Sequence, residues 1–199
     1  EAAGGVKEAD GGAESEAADE YIPTVPKFIS SEEKEIVSNE RGTAYHRVME
    51  CLNYSKAGST EDIKNEIDRM VREEKLSLKQ AECIKLKDID TFVGSSIGER
   101  IKRAYAYGGV KREQPFVFEY DRQLVQGVID LYFIEDGQLV IVDYKTDRVL
   151  RGRAGEDELR RRYSIQLDYY AMALSQITGL KVKEKVIYSF ALGRSLTVE

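Results

Sequence analysis

Residues 138–145 read Gln-Leu-Val-Ile-Val-Asp-Tyr-Lys, an aliphatic run ending in an acid and a base two positions apart. Alternate side chains of an extended chain share a face, so Asp143 and Lys145 project together from the end of a hydrophobic strand. A carboxylate placed there can hold a divalent cation. An ammonium beside it can orient or activate a water, or offset charge on a phosphoryl oxygen. Such triplets are common, and taken alone this one is better explained as a strand-end ion pair in solvent. A second acid shifts the balance. Asp130 sits inside the apolar run from Leu124 to Phe133, where an unpaired carboxylate is costly unless it ligates a metal. Glu135-Asp136-Gly137 supplies a turn between the two runs, so they pair as neighbours and bring Asp130 close to Asp143. Two carboxylates on adjacent strands, with a lysine alongside, outline a metal-dependent phosphodiesterase site. The competing reading is a salt bridge from Asp130 to a lysine. His46 is the only histidine and has Glu50 one helical turn further on. A lone helical histidine is more often a surface or satisfied core residue than a ligand.

The elements that must carry these residues follow from periodicity. A helix is predicted from about Thr43 to Leu52, with Ala44, Tyr45, Val48, Met49 and Leu52 on one face. A short turn is expected over Glu32 to Ser38. Thr60 is expected to cap a helix with Ile63, Ile67, Met70 and Val71 on one side. Ser77 is expected to open another, carrying Leu78, Ala81, Ile84 and Leu86, and Ser96 a further one with Ile97, Ile101, Ala104 and Tyr105. After Gly108-Gly109 the period changes. Val110 to Tyr120, Leu124 to Ile134 and Gln138 to Lys145 read as an antiparallel meander, its first turn at Asp121-Arg122. A helix from Glu156 to Ile177 stops at Gly179, and a fourth strand covers Val186 to Leu192. Together these give an α/β protein, an α/β/α sandwich with a mixed central sheet and a helical N-terminal part.

Composition limits the alternatives. A length of 199 residues suits one domain with a tail, and the 33% of charged residues exceeds the roughly 25% usual for globular chains. Residues 1–20 hold seven acids and one base, leaving 29 of the 30 bases against 29 of the 36 acids. A neutral body with an acidic tail can still bind a polyanion where bases cluster. The Gly-, Ala- and Glu-rich tail cannot bury enough surface to order itself. With Pro23 and Pro26 in an extended lead-in, residues 1–27 are expected to be a disordered acidic linker, and 28–199 the folded domain. No apolar run approaches the roughly 18 residues of a membrane helix. Two cysteines, Cys51 and Cys83, supply neither a disulfide scaffold nor the four thiolates of an iron–sulfur cluster. No signal peptide is visible, so the expected compartment is the cytoplasm, and a first residue of Glu1 suggests a fragment of something longer. No phosphate-binding G-x-x-x-x-G-K-[ST] occurs, so ATP hydrolysis is not expected.

In chain order, RGTAYHRVME, REQPF, QGVIDLYF, IVDYKTDRV and RYSIQLDYYAMAL resemble the RecB family of nuclease domains, restriction-endonuclease-like members of the PD-(D/E)XK superfamily. The likeness runs from about Phe28 to Leu192 and is nearest to the C-terminal nuclease domains of AddA-type helicase–nuclease subunits. Each motif alone is unspecific; the ordered set is not. The resemblance implies a metal held by His46, Asp130, Asp143 and the backbone carbonyl of Tyr144, with Lys145 as the catalytic lysine. It implies that Gln166 and Tyr170 support the site and contact DNA, and gives Glu113 as a first-strand acid of less defined role. Without it, Gln166 and Tyr170 read as an exposed stripe of an amphipathic helix, and Glu113 as a surface ion pair. Ile129 stands where the superfamily name has proline, as is usual in the RecB branch.

The implied cofactor is Mg²⁺, or Mn²⁺ given an imidazole ligand, with no iron–sulfur cluster. The implied partners are DNA, a helicase motor preceding this segment in the same chain, and an AddB-type protein, engaged in processing double-strand breaks for recombinational repair. Two basic patches fit a DNA path. One holds Arg100, Lys102, Arg103, Lys111 and Arg112. The other holds Arg148, Arg151, Arg153, Arg160, Arg161 and Arg162, on a loop from Arg148 to Gly155 expected to be mobile and on the helix after it. Tyr105, Tyr107, Tyr163 and Tyr169 are placed to stack on bases. Two other readings remain open: a catalytically silent scaffold that only binds DNA, and a standalone nuclease.

Overall fold

The computed structural model describes residues 34–199; the expected acidic linker and extended lead-in lie outside the described residues. Six helices and five strands follow one another in the order α1 (Lys34–Cys51), α2 (Thr60–Arg72), α3 (Leu78–Glu82), α4 (Leu86–Val93), α5 (Ser96–Ala106), β1 (Val110–Tyr120), β2 (Gln123–Glu135), β3 (Gln138–Lys145), α6 (Arg153–Thr178), β4 (Val182–Ser189) and β5 (Arg194–Val198). The sheet order is β1-β2-β3-β4-β5, and only β3 and β4 run parallel. A parallel pair needs a crossover long enough to return the chain, and α6 provides it. Helices α1 to α5 cover one face of this mixed sheet and α6 the other, as expected of the sandwich. Among the described residues no helix is long and apolar enough to cross a membrane.

Local chemistry sets most boundaries. Ser59, Ser77 and Ser95 each cap a helix by accepting a hydrogen bond from the backbone three residues on. Two of these caps fall one residue before the expected Thr60 and Ser96, which instead take the first helical positions. Ser77 and Gln80 close a reciprocal capping box. The run opened by Ser77 is two helices, not one: α3 ends at Glu82, and α4 buries Ile89, Phe92 and Val93. The turn expected at Glu32 to Ser38 is, from Lys34, the first part of α1. Gly179 stops α6 in the left-handed conformation, φ 71°. The expected fourth strand starts earlier, at Val182, and Arg194–Val198 adds a fifth.

Two apolar layers sandwich the sheet. Tyr45, Val48, Met49, Phe92 and Ile101 pack from the helices onto Leu131, Phe133, Val140, Val142 and Tyr144. On the other side Leu159, Leu167, Tyr170 and Leu174 of α6 pack onto Phe116, Phe118, Ile129, Ile141 and Ile187. These memberships reveal an inversion. Ile129 and Leu131 would share a face in a regular strand, yet they belong to opposite layers. On β1, Arg112 lies over Tyr54 and Tyr105 on the helical side, whereas Phe116 and Phe118 lie against α6. Both strands therefore change phase at the same row, that of Glu113 and Asp130. Arg112 pairs with Leu131 and Gln114 with Ile129, but the step between them is missing from the ladder. Glu113 there adopts φ 45°, a left-handed conformation that costs a non-glycine residue energy and recurs at functional sites.

Candidate active site

The same registers align the acids. Glu113 lies opposite Asp130, and Asp130 is one step beyond the Leu131–Val142 pair, which puts it opposite Asp143. Three carboxylates thus form a row across β1, β2 and β3. Helix α1 brings His46 over this row. Its Nε2 is 3.0 Å from the Tyr144 carbonyl oxygen and its Nδ1 3.4 Å from Asp130 Oδ1. The other oxygen of Asp130 accepts a 2.7 Å hydrogen bond from the Tyr144 backbone N–H, which fixes the carboxylate between strands. One ligand atom each from His46, Glu113 and Asp130 lie within 4.8 Å of one another.

Asp143 stands outside that trio. It is fully buried; Lys145 Nζ is 2.6 Å from its Oδ2, and its Oδ1 has no hydrogen-bond partner. A buried carboxylate oxygen without a donor is costly, so a cation near Asp143 would find a ready acceptor. The His46 Nε2 and the Tyr144 carbonyl oxygen, joined at 3.0 Å by a hydrogen bond, would offer a nitrogen and an oxygen donor to an ion that displaces the imidazole proton. On both counts the residues present fit a hard divalent cation. Of the expected set, His46, Asp130 and the Tyr144 backbone meet, Glu113 joins His46 and Asp130 in the trio, and Asp143 is paired to Lys145 beside them.

The electrostatics are those of a site charged with protons where a cation would go. Burial, reinforced by the charge of Asp130, raises Glu113 to about 7. Burial raises Asp143 to about 6, against the pull of Lys145 and with the push of Asp130. Burial would also raise Asp130, but the hydrogen bond and charge of His46 outweigh it and hold Asp130 below its ordinary value. Burial opposes a charged His46 and a charged Lys145, yet Asp130 raises the first, and Asp143 with Asp130 raises the second. Cation binding must therefore displace protons. Divalent-cation affinity is expected to climb with pH by roughly tenfold per unit for each proton displaced, most steeply below about pH 6 where Asp143 and Glu113 both hold one, and to level off once Glu113 and the raised His46 have also lost theirs. Calorimetry in two buffers of different ionisation enthalpy measures the protons released. In metal-free protein the folded state holds more protons on Glu113 than the unfolded state between about 4.5 and 7, so this group's contribution to stability falls as pH rises through that window.

Helix α6 closes the site from the other face. Gln166 donates to the Tyr170 hydroxyl, and Tyr170 is buried edge-on against Phe116, so this pair is part of the sheet-facing side rather than an exposed stripe. Tyr163 lies with its ring 4.4 Å from Lys145 Nζ and its hydroxyl donating to Asp147 at 2.9 Å. Expected as a base-stacking ring, Tyr163 has these two partners within the protein. Tyr169 packs on Phe118 and Tyr120, and Tyr105 on Tyr54, so only Tyr107 of the four remains fully available.

The basic residues divide likewise. Arg148, Arg151, Arg153 and Arg161 are exposed. Arg160 is spent on the Thr197 carbonyl, Asp157 and Glu156. Arg100 is locked between Glu135 and Glu184, at the end of the sheet away from Lys145, and Arg112 is bonded to the Leu52 carbonyl. Neither of the last two belongs to an open phosphate track. The loop expected to run to Gly155 ends at Gly152, because α6 begins at Arg153. Gly155 is buried so tightly under the Leu150 carbonyl that a Cβ would lie 1.9 Å from it. Sequence reasoning missed the position of Tyr163 and its partner Asp147; a cation–ring contact between a strand end and a helix further along the chain leaves no periodic trace.

Comparison with known proteins places the chain among nucleases. The chain is 32% identical over 222 residues to the A component of the ATP-dependent helicase/nuclease of Lachnoclostridium phytofermentans, covering 89% of this chain and 16% of that protein. Against its counterpart in Clostridium novyi it is 34% identical, covering 86% and 15%. Against the one in Thermoanaerobacter sp. (strain X514) it is 39% identical, covering 86% and 15%. The chain therefore spans about one-sixth of the length of these relatives. The family model for the PD-(D/E)XK nuclease superfamily matches residues 20–196. With a mixed sheet carrying Asp130, Asp143 and Lys145 at its centre and a match over most of its length, the chain belongs to the PD-(D/E)XK nuclease superfamily.

Proposed function

We propose that this domain cleaves DNA phosphodiester bonds with a divalent cation, as the nuclease of a helicase–nuclease that processes double-strand break ends for recombinational repair. The observation that carries the reading is the convergence of His46, Glu113 and Asp130 beside the Asp143–Lys145 pair at the end of β3. His46, Asp130, Asp143 and the Tyr144 carbonyl would hold the ion, with Glu113 close enough to join. The ion would be Mg²⁺, or Mn²⁺ because one ligand is an imidazole. When bound, it supplies Lewis acidity, acidifying a water and offsetting phosphoryl charge.

The chain's own residues supply the rest. Asp130, anchored by the Tyr144 N–H, keeps a fixed charge at the centre of the row. Lys145, held as an ammonium by Asp143 and Asp130, is a donor and not a base; it orients a water or binds a nonbridging phosphoryl oxygen. Gln166 and Tyr170 wall the site on the α6 side. The exposed Arg148, Arg151, Arg153 and Arg161 would contact phosphates without reading sequence. The relatives are named as the A subunit of an ATP-dependent helicase/nuclease, which supports an ATP-driven motor in a longer chain; on this reading the domain works on DNA in the bacterial cytoplasm beside an AddB-type partner. Exonucleolytic degradation of the strand delivered by that motor is the mode this reading favours.

The test is degradation of end-labelled linear DNA and nicking of a closed plasmid, with Mg²⁺, with Mn²⁺ and with a chelator. Cleavage that is dependent on the cation supports the proposal. DNA binding without cleavage under any cation would instead identify a silent scaffold.

A further inference from the structure

We propose that Tyr163 is a positioning residue for Lys145, its ring acting as a seat that holds the ammonium when Asp143 is engaged elsewhere. The inference deepens the function proposed above and rests on it. Lys145 Nζ has two neighbours of opposite character: Asp143 Oδ2 at 2.6 Å, and the face of the Tyr163 ring at 4.4 Å. The first is a competitor for any cation at the site, since a carboxylate that turns to a metal ceases to be the lysine's partner. The second is not. A ring face attracts an ammonium through its quadrupole and offers no lone pair to a hard cation. A lysine side chain is a flexible four-carbon stem, so without a second partner the released ammonium would have no fixed seat.

The ring is held from two sides, and the lysine beneath it from a third point. Its hydroxyl donates to Asp147, two residues beyond Lys145, and Asp147 is braced by Arg162 at 3.5 Å. The Lys145 carbonyl accepts a 2.9 Å hydrogen bond from the Phe190 N–H, which pins the backbone beneath the stem. On α6, Tyr163 stands one turn before Leu167 and packs with the layer that contains Leu159 and Tyr170. Strand end, loop and helix are thus tied so that ring and stem move together. The same fixing takes the ring out of use as a platform for bases.

The experiment compares Tyr163→Leu, which removes the ring, with Tyr163→Phe, which keeps it and loses only the Asp147 bond. Cation-dependent cleavage by the full chain is measured as kcat and KM, and DNA affinity is measured in chelator. Tyr163→Leu is expected to lower kcat by roughly tenfold, with KM, DNA affinity and cation affinity within about twofold. Tyr163→Phe is expected to recover most of that loss. A rise in KM or a weaker DNA complex at unchanged kcat would overturn the proposal and make Tyr163 a nucleic-acid contact. Equal losses in the two variants would overturn it as well, because the hydroxyl and not the ring would then matter. Should Tyr163→Leu fail to fold, Tyr163→Met, closer in length, is read by the same criteria. Full activity in Lys145→Ala would defeat the proposed function itself. A dead Lys145→Ala beside a Tyr163→Leu of undiminished kcat would defeat only this inference.

Discussion

Replacing Lys145 by alanine is expected to cut DNA cleavage by roughly three orders of magnitude while tightening cation binding. The two effects have one cause. The ammonium lies 2.6 Å from a carboxylate that is fully buried, so in metal-free protein it performs the neutralising task that a metal would perform. Its removal leaves Asp143 without a countercharge and its oxygens open to a divalent ion. The same removal takes away the donor that orients a water or a phosphoryl oxygen, and among the described residues no other lysine or arginine is paired with this row. Without metal the variant should also melt earlier, because truncating one member of a buried ion pair costs about 3 kcal/mol, less to the extent that Asp143 takes up a proton. Added Mg²⁺ should restore the melting temperature but not the cleavage. Calorimetry, thermal unfolding with and without Mg²⁺, and single-turnover cleavage check the three parts. Retained cleavage, or weaker cation binding, would contradict the account.

Asp130→Asn should move cation affinity in the opposite direction, weakening it by roughly 100-fold or more. Outer partners of metal ligands are typically worth about 10- to 100-fold, and Asp130 is placed as a ligand at the centre of the row. Asparagine keeps the shape and an acceptor for the Tyr144 N–H, so the loss reports charge rather than packing. A second readout is independent of metal. His46 is the only histidine, so its titration gives a single resonance. Asp130 is what raises it against the effect of burial, and in the variant its pKa should fall below that of the unaltered protein. An unmoved His46 together with retained cation affinity would remove Asp130 from the site.

Much of this was legible in the residues. The alternation of Gln138 to Lys145 and the turn at Asp136-Gly137 are local signals, and they suffice to set Asp130 beside Asp143. Ser77, Gly179 and the burial of Ala44, Tyr45, Val48, Met49 and Leu52 are local as well. What stayed hidden depends on partners distant in the chain. Arg100 and Arg112 looked like open cations because nothing nearby shows Glu135, Glu184 or Tyr54. The break between α3 and α4 falls at Ile84, where the apolar spacing continues but the chain turns. Glu113 was visible as an acid on the first strand; its place in the His46–Asp130 trio required the register of β1 on β2.

The exchange of faces at Glu113 and Asp130 also constrains how these strands can change length. A single-residue insertion or deletion on either side of that row would rotate one half of the hairpin by one pleat and turn an entire apolar layer to water. Two-residue changes keep the phase where both residues fall on one side of the row, and toward the Asp121-Arg122 tip they also leave the pairing next to the site untouched. The hairpin can therefore lengthen or shorten in pairs at its far end, while its inner portion is held to a fixed count from both directions.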